Sequence, residues 1–324
     1  MSDVFVTGGS GFVGARLIRR LVAGGHTVRA LARSDRAERV VAELGATPVR
    51  GDLGDADSVR AAASGAELAF HSAARTPGAG SRAEFLRDNV DGTRAVLTAC
   101  RDAGVRRLVH VGSEAGLRAG KPLVNVDETV ALQPGSPAVY AASKARAEAE
   151  VLGFDGLDTV VVRPCMIWGR GDTTLLPSLV TAVRSGKFAW IGGGRQLVDA
   201  THVDNVVEGL VLAADKGRAG EAYFVTDGKP VVFREFVTDL LATRGIAEPT
   251  RSMPAGLARV AAVAAESVWG RLGLRGAPPV DRMSVWVSGQ ECTIDISKAR
   301  TELGYAPVRT TASGLAELVE GQPE

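Results

Sequence analysis

Tyr140 and Lys144 stand four residues apart in Tyr140-Ala141-Ala142-Ser143-Lys144. On a helix that spacing puts a phenol and an ammonium on one face. A phenol is a poor acid near neutral pH, and a neighbouring positive charge favours its anion. The pair could therefore exchange a proton with a substrate oxygen. Such i,i+4 pairs also arise by chance, so the surroundings must support the chemistry. Ser113 does so, because it lies just past the apolar run Leu108–Val111. That is the carboxyl end of an expected strand, where open α/β sheets hold ligands. A second constellation is Thr7-Gly8-Gly9-Ser10-Gly11-Phe12-Val13-Gly14. The first glycine permits a tight turn, the second a close approach of phosphate to backbone, and the third close packing of helix on strand.

The elements needed to position these groups are legible in the chain. Short apolar runs at Val4–Thr7, Val28–Leu31, Thr47–Arg50, Leu68–His71, Leu108–Val111 and Thr159–Val162 read as strands. Helical spacing fills the gaps at Phe12–Ala23, Arg36–Glu43, Ala56–Ala63, Asn89–Ala103 and Val139–Leu152. This alternation predicts βαβ units and a doubly wound, Rossmann-like parallel sheet covered on both faces. After Arg163 the rhythm breaks. Val203–Ala214 reads as a helix and Glu221–Val225 as a strand that could return to the sheet, while helices dominate from Lys229 onward. Residues 1–170, with about 197–225, are expected to form the dinucleotide-binding domain. A smaller, mostly helical and discontinuous substrate lobe takes 171–196 and 226–324.

With a strand before it and a helix after it, the glycine turn points to a dinucleotide. An acid at the tip of the second strand would bind the ribose hydroxyl of NAD(H). The chain has Leu31-Ala32-Arg33-Ser34 there. The Arg33 guanidinium, with Arg36 one turn on, suits a 2′-phosphate, which favours NADP(H) over NAD(H). Asp52, in Gly51-Asp52-Leu53, could bond the adenine amino group or cap a helix.

Together these residues resemble the extended short-chain dehydrogenase/reductase family, of the epimerase/dehydratase type. The resemblance runs from TGGSGFVG at 7–14 to DISKARTELGYAP at 295–307. Between them lie Gly51-Asp52-Leu53, His71-Ser72-Ala73-Ala74, Asn89-Val90-Asp91-Gly92-Thr93, Ser113, Tyr140 with Lys144, Arg163-Pro164, and His202-Val203-Asp204-Asn205. Leu108–Leu117 and Arg163–Asp172 look most like the 3β-hydroxysteroid dehydrogenase-like branch. The resemblance implies Tyr140 as general acid in reduction and base in oxidation. It implies Lys144 as the residue that holds the nicotinamide ribose and lowers the Tyr140 pKa, Ser113 as partner of the reacting oxygen, and Asn89 as support for the site and its water. It also implies cofactor contacts from Gly8, Gly11, Phe12, Val13, Gly14, Arg33, Asp52, Leu53, Ser72, Ala73, Tyr140, Lys144, Pro164 and Ile167.

The expected activity is hydride transfer between an alcohol and a ketone on an apolar, steroid-like substrate. Sugar-nucleotide dehydratases carry Thr-Asp-Glu where this chain has Ser113-Glu114-Ala115, which argues against dehydration. Glu114 is then expected to point away or to make a structural bond. A sugar-nucleotide epimerase and a non-catalytic NADP(H)-binding sensor are the alternatives.

Composition narrows the classes further. Lys+Arg 38 against Asp+Glu 37 leaves a formal charge of +1, without the basic excess of a nucleic-acid binder. Cys100, Cys165 and Cys292 lie far apart without a CxxC pair, which fits a reducing cytoplasm and no zinc site. Four His at unrelated spacings suggest no metal ligation. His202 reads more readily as structural than reactive, and Cys165 as a buried thiol. Trp168, Phe188, Trp190, Trp269 and Trp286 could line an apolar pocket, though core packing is the better reading of each singly. Ala255–Gly273 is expected to be an amphipathic helix over the substrate cleft, with pairing to a second subunit or a membrane surface as its alternatives; Arg259, Glu266 and Arg271 interrupt it too often for stable membrane insertion. A homodimer is compatible with the sequence.

Overall fold

The structure is a computed structural model that describes residues 1–78, 80–272, 276 and 278–320. Its centre is a seven-stranded parallel sheet. In spatial order the strands are Glu221–Val225, Asp158–Pro164, Arg107–Val111, Leu68–His71, Asp3–Thr7, Thr27–Ala32 and Thr47–Arg50. Every neighbouring pair is parallel. The chain order reverses between Leu68–His71 and Asp3–Thr7, which opens a crevice at the carboxyl ends of the strands.

The strand period of two distributes the apolar runs to both faces. Val4 and Val6 join Val160 and Val162 on one face, where Leu17, Ile18 and Leu21 of helix Phe12–Ala23 cover them with Val206 and Leu210 of helix Val203–Lys216. Phe5 and Val161 face the other way, under Val59, Val96, Leu97 and Val151. Continuous apolar strands are thus the consequence of burial on two sides.

Helix Val139–Leu152 and strand Glu221–Val225 form over the expected residues. The helix expected at Asn89–Ala103 differs: it runs Gly92–Asp102, preceded by a π turn at Arg87–Asp91 and a short helix Arg82–Leu86. A π turn makes a wider loop and commonly marks a functional position.

The lobe after Arg163 is mostly helical, as expected, with helices Leu175–Arg184, Phe233–Ala242, Ala255–Leu272, Arg282–Gly289 and Thr311–Glu320. A second sheet pairs Val231–Val232, Leu197–Val198, Cys292–Ile294 and Leu123–Val126 in that order. Strands of two to four residues are too short for periodicity to reveal. Asn205 ties this region down, since its side chain donates to Asp227 and to the Arg309 carbonyl and accepts from the Val308 and Arg309 amides. No helix of the described residues is long and apolar enough to cross a membrane.

Candidate active site

The glycine turn sits at the crevice, and its geometry requires glycine at two positions. Gly8 has φ +71°, and a Cβ there would come within 2.6 Å of the Ala73 amide nitrogen. A Cβ on Gly14 would come within 2.2 Å of the Gly8 carbonyl oxygen. Neither can be accommodated without moving backbone. Ser72 closes the far wall by donating its hydroxyl to the Thr7 carbonyl at 2.8 Å. Helix Phe12–Ala23 starts after Gly11 without a side-chain cap and without an acid in its first turn. Its first amides, those of Phe12 and Val13 among them, are thus available to an anion.

Arg33, just past strand Thr27–Ala32, is exposed and has no hydrogen-bond or ion-pair partner among the described residues. Ser34 next to it caps helix Asp35–Glu43 through the Ala37 amide. Asp52 is exposed and accepts the Gly54 amide at 2.9 Å. The helix cap that Asp52 could have been is Asp55. This cradle of glycines and free amides fits the pyrophosphate of a nicotinamide dinucleotide. Gly8, Gly11, Phe12, Val13 and Gly14 would face its pyrophosphate, with Leu53, Ser72 and Ala73 alongside. Such a cofactor supplies or accepts a hydride.

At the next strand end, Lys144 reaches across from helix Val139–Leu152 and donates to the Val111 carbonyl at 2.8 Å. Two residues on, Ser113 donates its hydroxyl to Glu114 at 2.9 Å and accepts the Ala115 amide at 3.1 Å. Tyr140 lies one helical turn before Lys144, half-buried, with Phe85 edge-on at 6.4 Å. Asn89, in the π turn, fastens the wall: it donates to Ser143 at 2.9 Å and pairs with the backbone of Arg75. Pro164 ends strand Asp158–Pro164, and Ile167 follows beside it in the short strand Ile167–Trp168.

The electrostatics depart from the simple expectation for Tyr140. Burial pushes its phenol up, the Glu114 carboxylate adds to that, and the Ser113 hydrogen bond pulls the other way. Lys144 is 3% exposed and is committed to the Val111 carbonyl. In this arrangement Tyr140 holds its proton. Burial also brings Lys144 down to about 8, against the opposing charges of Glu148 and then Glu114. His71 is driven to about 3 by burial first and by Lys144 second, so its ring is neutral between Thr7 and Thr93. His110, its cross-strand neighbour at 5.1 Å, is depressed for the same reasons and by His71 as well.

Of the two expectations for Glu114, the structure shows the structural bond. Its buried carboxylate takes the Ser113 hydroxyl and faces Arg118 at 3.5 Å. A one-letter reading of Ser-Glu-Ala could not give that orientation, which the tight 3-10 turn Glu114–Leu117 imposes. Two further buried groups escaped the sequence reading. Glu148 pairs with Arg163 at 2.6 Å and lies one turn beyond Lys144. Continuing the i,i+4 series from Tyr140 and Lys144 would have found it. Arg118 had no such signal in so Arg-rich a chain. His202 caps helix Val203–Lys216 through the Asp204 amide and packs edge-on against Trp168 at 4.9 Å. Trp168 and Trp190 are buried, with their indole N–H groups on Asp227 and the Pro249 carbonyl, which makes them core residues.

Residues 5–255 match the 3-beta hydroxysteroid dehydrogenase/isomerase family. A 4-hydroxy-2-methyl-3-oxo-4-farnesyl-3,4-dihydroquinoline-1-oxide ketoreductase of Stigmatella aurantiaca is 46% identical over 321 residues, 98% of this chain and 96% of that one. A 2-alkyl-3-oxoalkanoate reductase of Stenotrophomonas maltophilia is 37% identical, covering 97% of this chain and 98% of its own. Among solved structures, a double mutant of the dTDP-glucose 4,6-dehydratase of Streptomyces venezuelae with NAD bound superposes with TM-score 0.75 at 27% identity, over 98% of this chain and 95% of that one. The glycine cradle, the Ser113–Tyr140–Lys144 grouping and these matches agree: the chain belongs to the 3-beta hydroxysteroid dehydrogenase/isomerase family of extended short-chain dehydrogenases/reductases and is a nicotinamide-dependent oxidoreductase.

Proposed function

We propose that the protein interconverts a ketone and a secondary alcohol on an apolar substrate, with Tyr140 as the proton donor in reduction and NADP(H) as the preferred cofactor. The convergence of Ser113, Tyr140 and Lys144 at the carboxyl end of strand Arg107–Val111 carries this reading. Ser113 would orient the carbonyl oxygen, and the protonated phenol of Tyr140 would donate to it. Lys144 would bind the nicotinamide ribose with the ammonium protons that Val111 leaves free. Arg33 supports NADP(H), because an unengaged guanidinium stands where an acid would select NAD(H).

An apolar substrate is supported by the wall next to Tyr140. Trp286, on helix Arg282–Gly289, packs against Ala138 and Ala141, which flank the tyrosine. Behind Trp286 a hollow of about 410 Å³ is lined by Ala262, Val263 and Val285 together with Arg259 and Arg282. Both relatives named above act on 3-oxo compounds bearing a farnesyl or alkyl group. The test is to follow the absorbance of NADPH while offering ketosteroids and long-chain ketones. Consumption of NADPH with alcohol formed in equal amount is the expected result. Tight cofactor retention with no net redox change, and with turnover of a sugar nucleotide, would replace this reading by the epimerase one.

A further inference from the structure

Lys144 is buried, and the Val111 carbonyl takes one of its protons at 2.8 Å. A cation so deeply placed stays charged only where an opposite charge offsets the lost hydration. The histidines that face it, His71 on strand Leu68–His71 and His110 on strand Arg107–Val111, are both held neutral by burial and by Lys144 itself. On its own helix, the Tyr140 phenol keeps its proton. Two carboxylates oppose the effect of burial: Glu148, one turn further along helix Val139–Leu152, and Glu114 on the 3-10 turn.

The oxygens of these two acids are committed differently. Glu114 faces Arg118 at 3.5 Å with one oxygen and accepts the Ser113 hydroxyl with the other. Glu148 is fully buried; Arg163 Nε donates to its Oε1 at 2.6 Å, and its Oε2 has no hydrogen-bond partner. That oxygen lies under the strand end that serves the site. A Cβ added to Gly112, between Val111 and Ser113, would come within 2.9 Å of it. The glycine thus leaves room for a buried acceptor that no donor satisfies, a costly arrangement unless a positive charge stands nearby. Residues four apart on a helix have Cβ atoms about 5–6 Å apart, which sets the Glu148 carboxylate and the Lys144 ammonium on one buried face. Burial pushes the Glu148 carboxyl up, and Arg163 and then Lys144 pull it back.

We propose that Glu148 is a positioning residue whose carboxylate, held in place by Arg163, is the counter-charge that keeps Lys144 an ammonium near neutral pH. Burial brings Lys144 down to about 8, and Glu148 is the larger of the two charges that oppose this, ahead of Glu114. Loss of an opposite charge at such range moves a pKa by about one unit or more. Without Glu148, a large share of Lys144 would be a neutral amine at the pH where it is needed. This deepens the alcohol/ketone reading, in which Lys144 holds the nicotinamide ribose, and rests on it for its consequence in the enzyme.

The test is the titration of the Lys144 side chain in the full chain, followed by NMR of lysine labelled at Cε and assigned by the signal missing from Lys144→Met. The wild-type midpoint is expected at about 8. Glu148→Gln keeps an acceptor for Arg163 and removes the charge, so the midpoint should fall by about one unit. Because that variant leaves the Arg163 charge buried, a double exchange of Glu148→Met with Arg163→Met repeats the measurement. Apolar side chains commonly replace a buried ion pair without loss of the fold, and the same fall is expected. A midpoint that stays at the wild-type value in these variants would overturn the assignment and leave Glu148 as an anchor for Arg163. NADPH affinity tests the ribose reading separately. It should weaken by about fivefold in Glu148→Gln at about pH 8 and return to the wild-type value near about pH 6. A Lys144 midpoint that falls with no such change in affinity keeps the Glu148 assignment and removes Lys144 from the ribose.

Discussion

Replacing Lys144 by Met should stabilise the folded chain while disabling it. The ammonium is 3% exposed, and burial brings it from 10.5 to about 8. One unit corresponds to about 1.4 kcal/mol, so holding this cation inside the neutral-pH protein costs about 3 kcal/mol relative to the unfolded chain. Methionine fills a similar volume without charge, and the loss of the hydrogen bond to Val111 returns about 1 kcal/mol of that. A net gain of about 2 kcal/mol is expected in urea unfolding at neutral pH. The pH dependence is the sharper readout. Because the folded pKa is the lower one, the unfolded chain binds more protons between pH about 8 and 10.5, and wild-type stability rises with pH through that window relative to Lys144→Met. The variant's advantage should therefore shrink by about 3 kcal/mol over the same range. An unfolding difference that stays flat from neutral to alkaline pH would refute the picture of Lys144 as a buried cation. Turnover and cofactor affinity should fall together, since the ammonium protons that bind the ribose are gone.

Two other outcomes follow from the same geometry. Arg33→Asp should shift binding from NADPH toward NADH by about tenfold or more, because it removes a charge-assisted partner and adds repulsion; calorimetric titration with both cofactors checks this, and an unchanged ratio contradicts it. Helix Ala255–Leu272 buries Ala258 and Ala262 but leaves Leu257, Val260, Val263, Val268 and Leu272 exposed, so substrate should protect its amides from hydrogen exchange if it closes over the cleft. Protection by lipid or by protein concentration alone would reassign that face to a membrane or a second subunit.

The sheet and the placing of Tyr140 and Lys144 on one helix were readable for definite physical reasons. Strands such as Val4–Thr7 and Thr159–Val162 are apolar throughout because both sheet faces are covered, and helices fill the gaps between them. Helix Val139–Leu152 starts just before Tyr140, so the four-residue spacing to Lys144 translates directly into one face. The glycine triplet is equally local, since Gly8 and Gly14 meet within one turn. What escaped depends on contacts distant in the chain or on very short segments. Leu123–Val126 becomes a strand by pairing with Cys292–Ile294, some 170 residues away, as parallel pairing always requires a long connection. The orientation of Glu114 depends on Ser113 and Arg118 closing one tight turn, and the pKa of Tyr140 depends on that carboxylate. Residue types alone suggested that Lys144 would govern the phenol. In the structure burial, and then Glu114, push the phenol up.

A single-turnover measurement on Tyr140→Phe asks whether the phenol gives its proton to the substrate oxygen. The exchange removes one hydroxyl and leaves the ring against Phe85. With the true ketone and saturating NADPH, the hydride step should slow by about two to four orders of magnitude, the usual contribution of a positioned acid, while NADPH affinity stays near the wild-type value. A Tyr140→Phe enzyme that reduces the same ketone at close to the wild-type rate would show that the proton comes from another group.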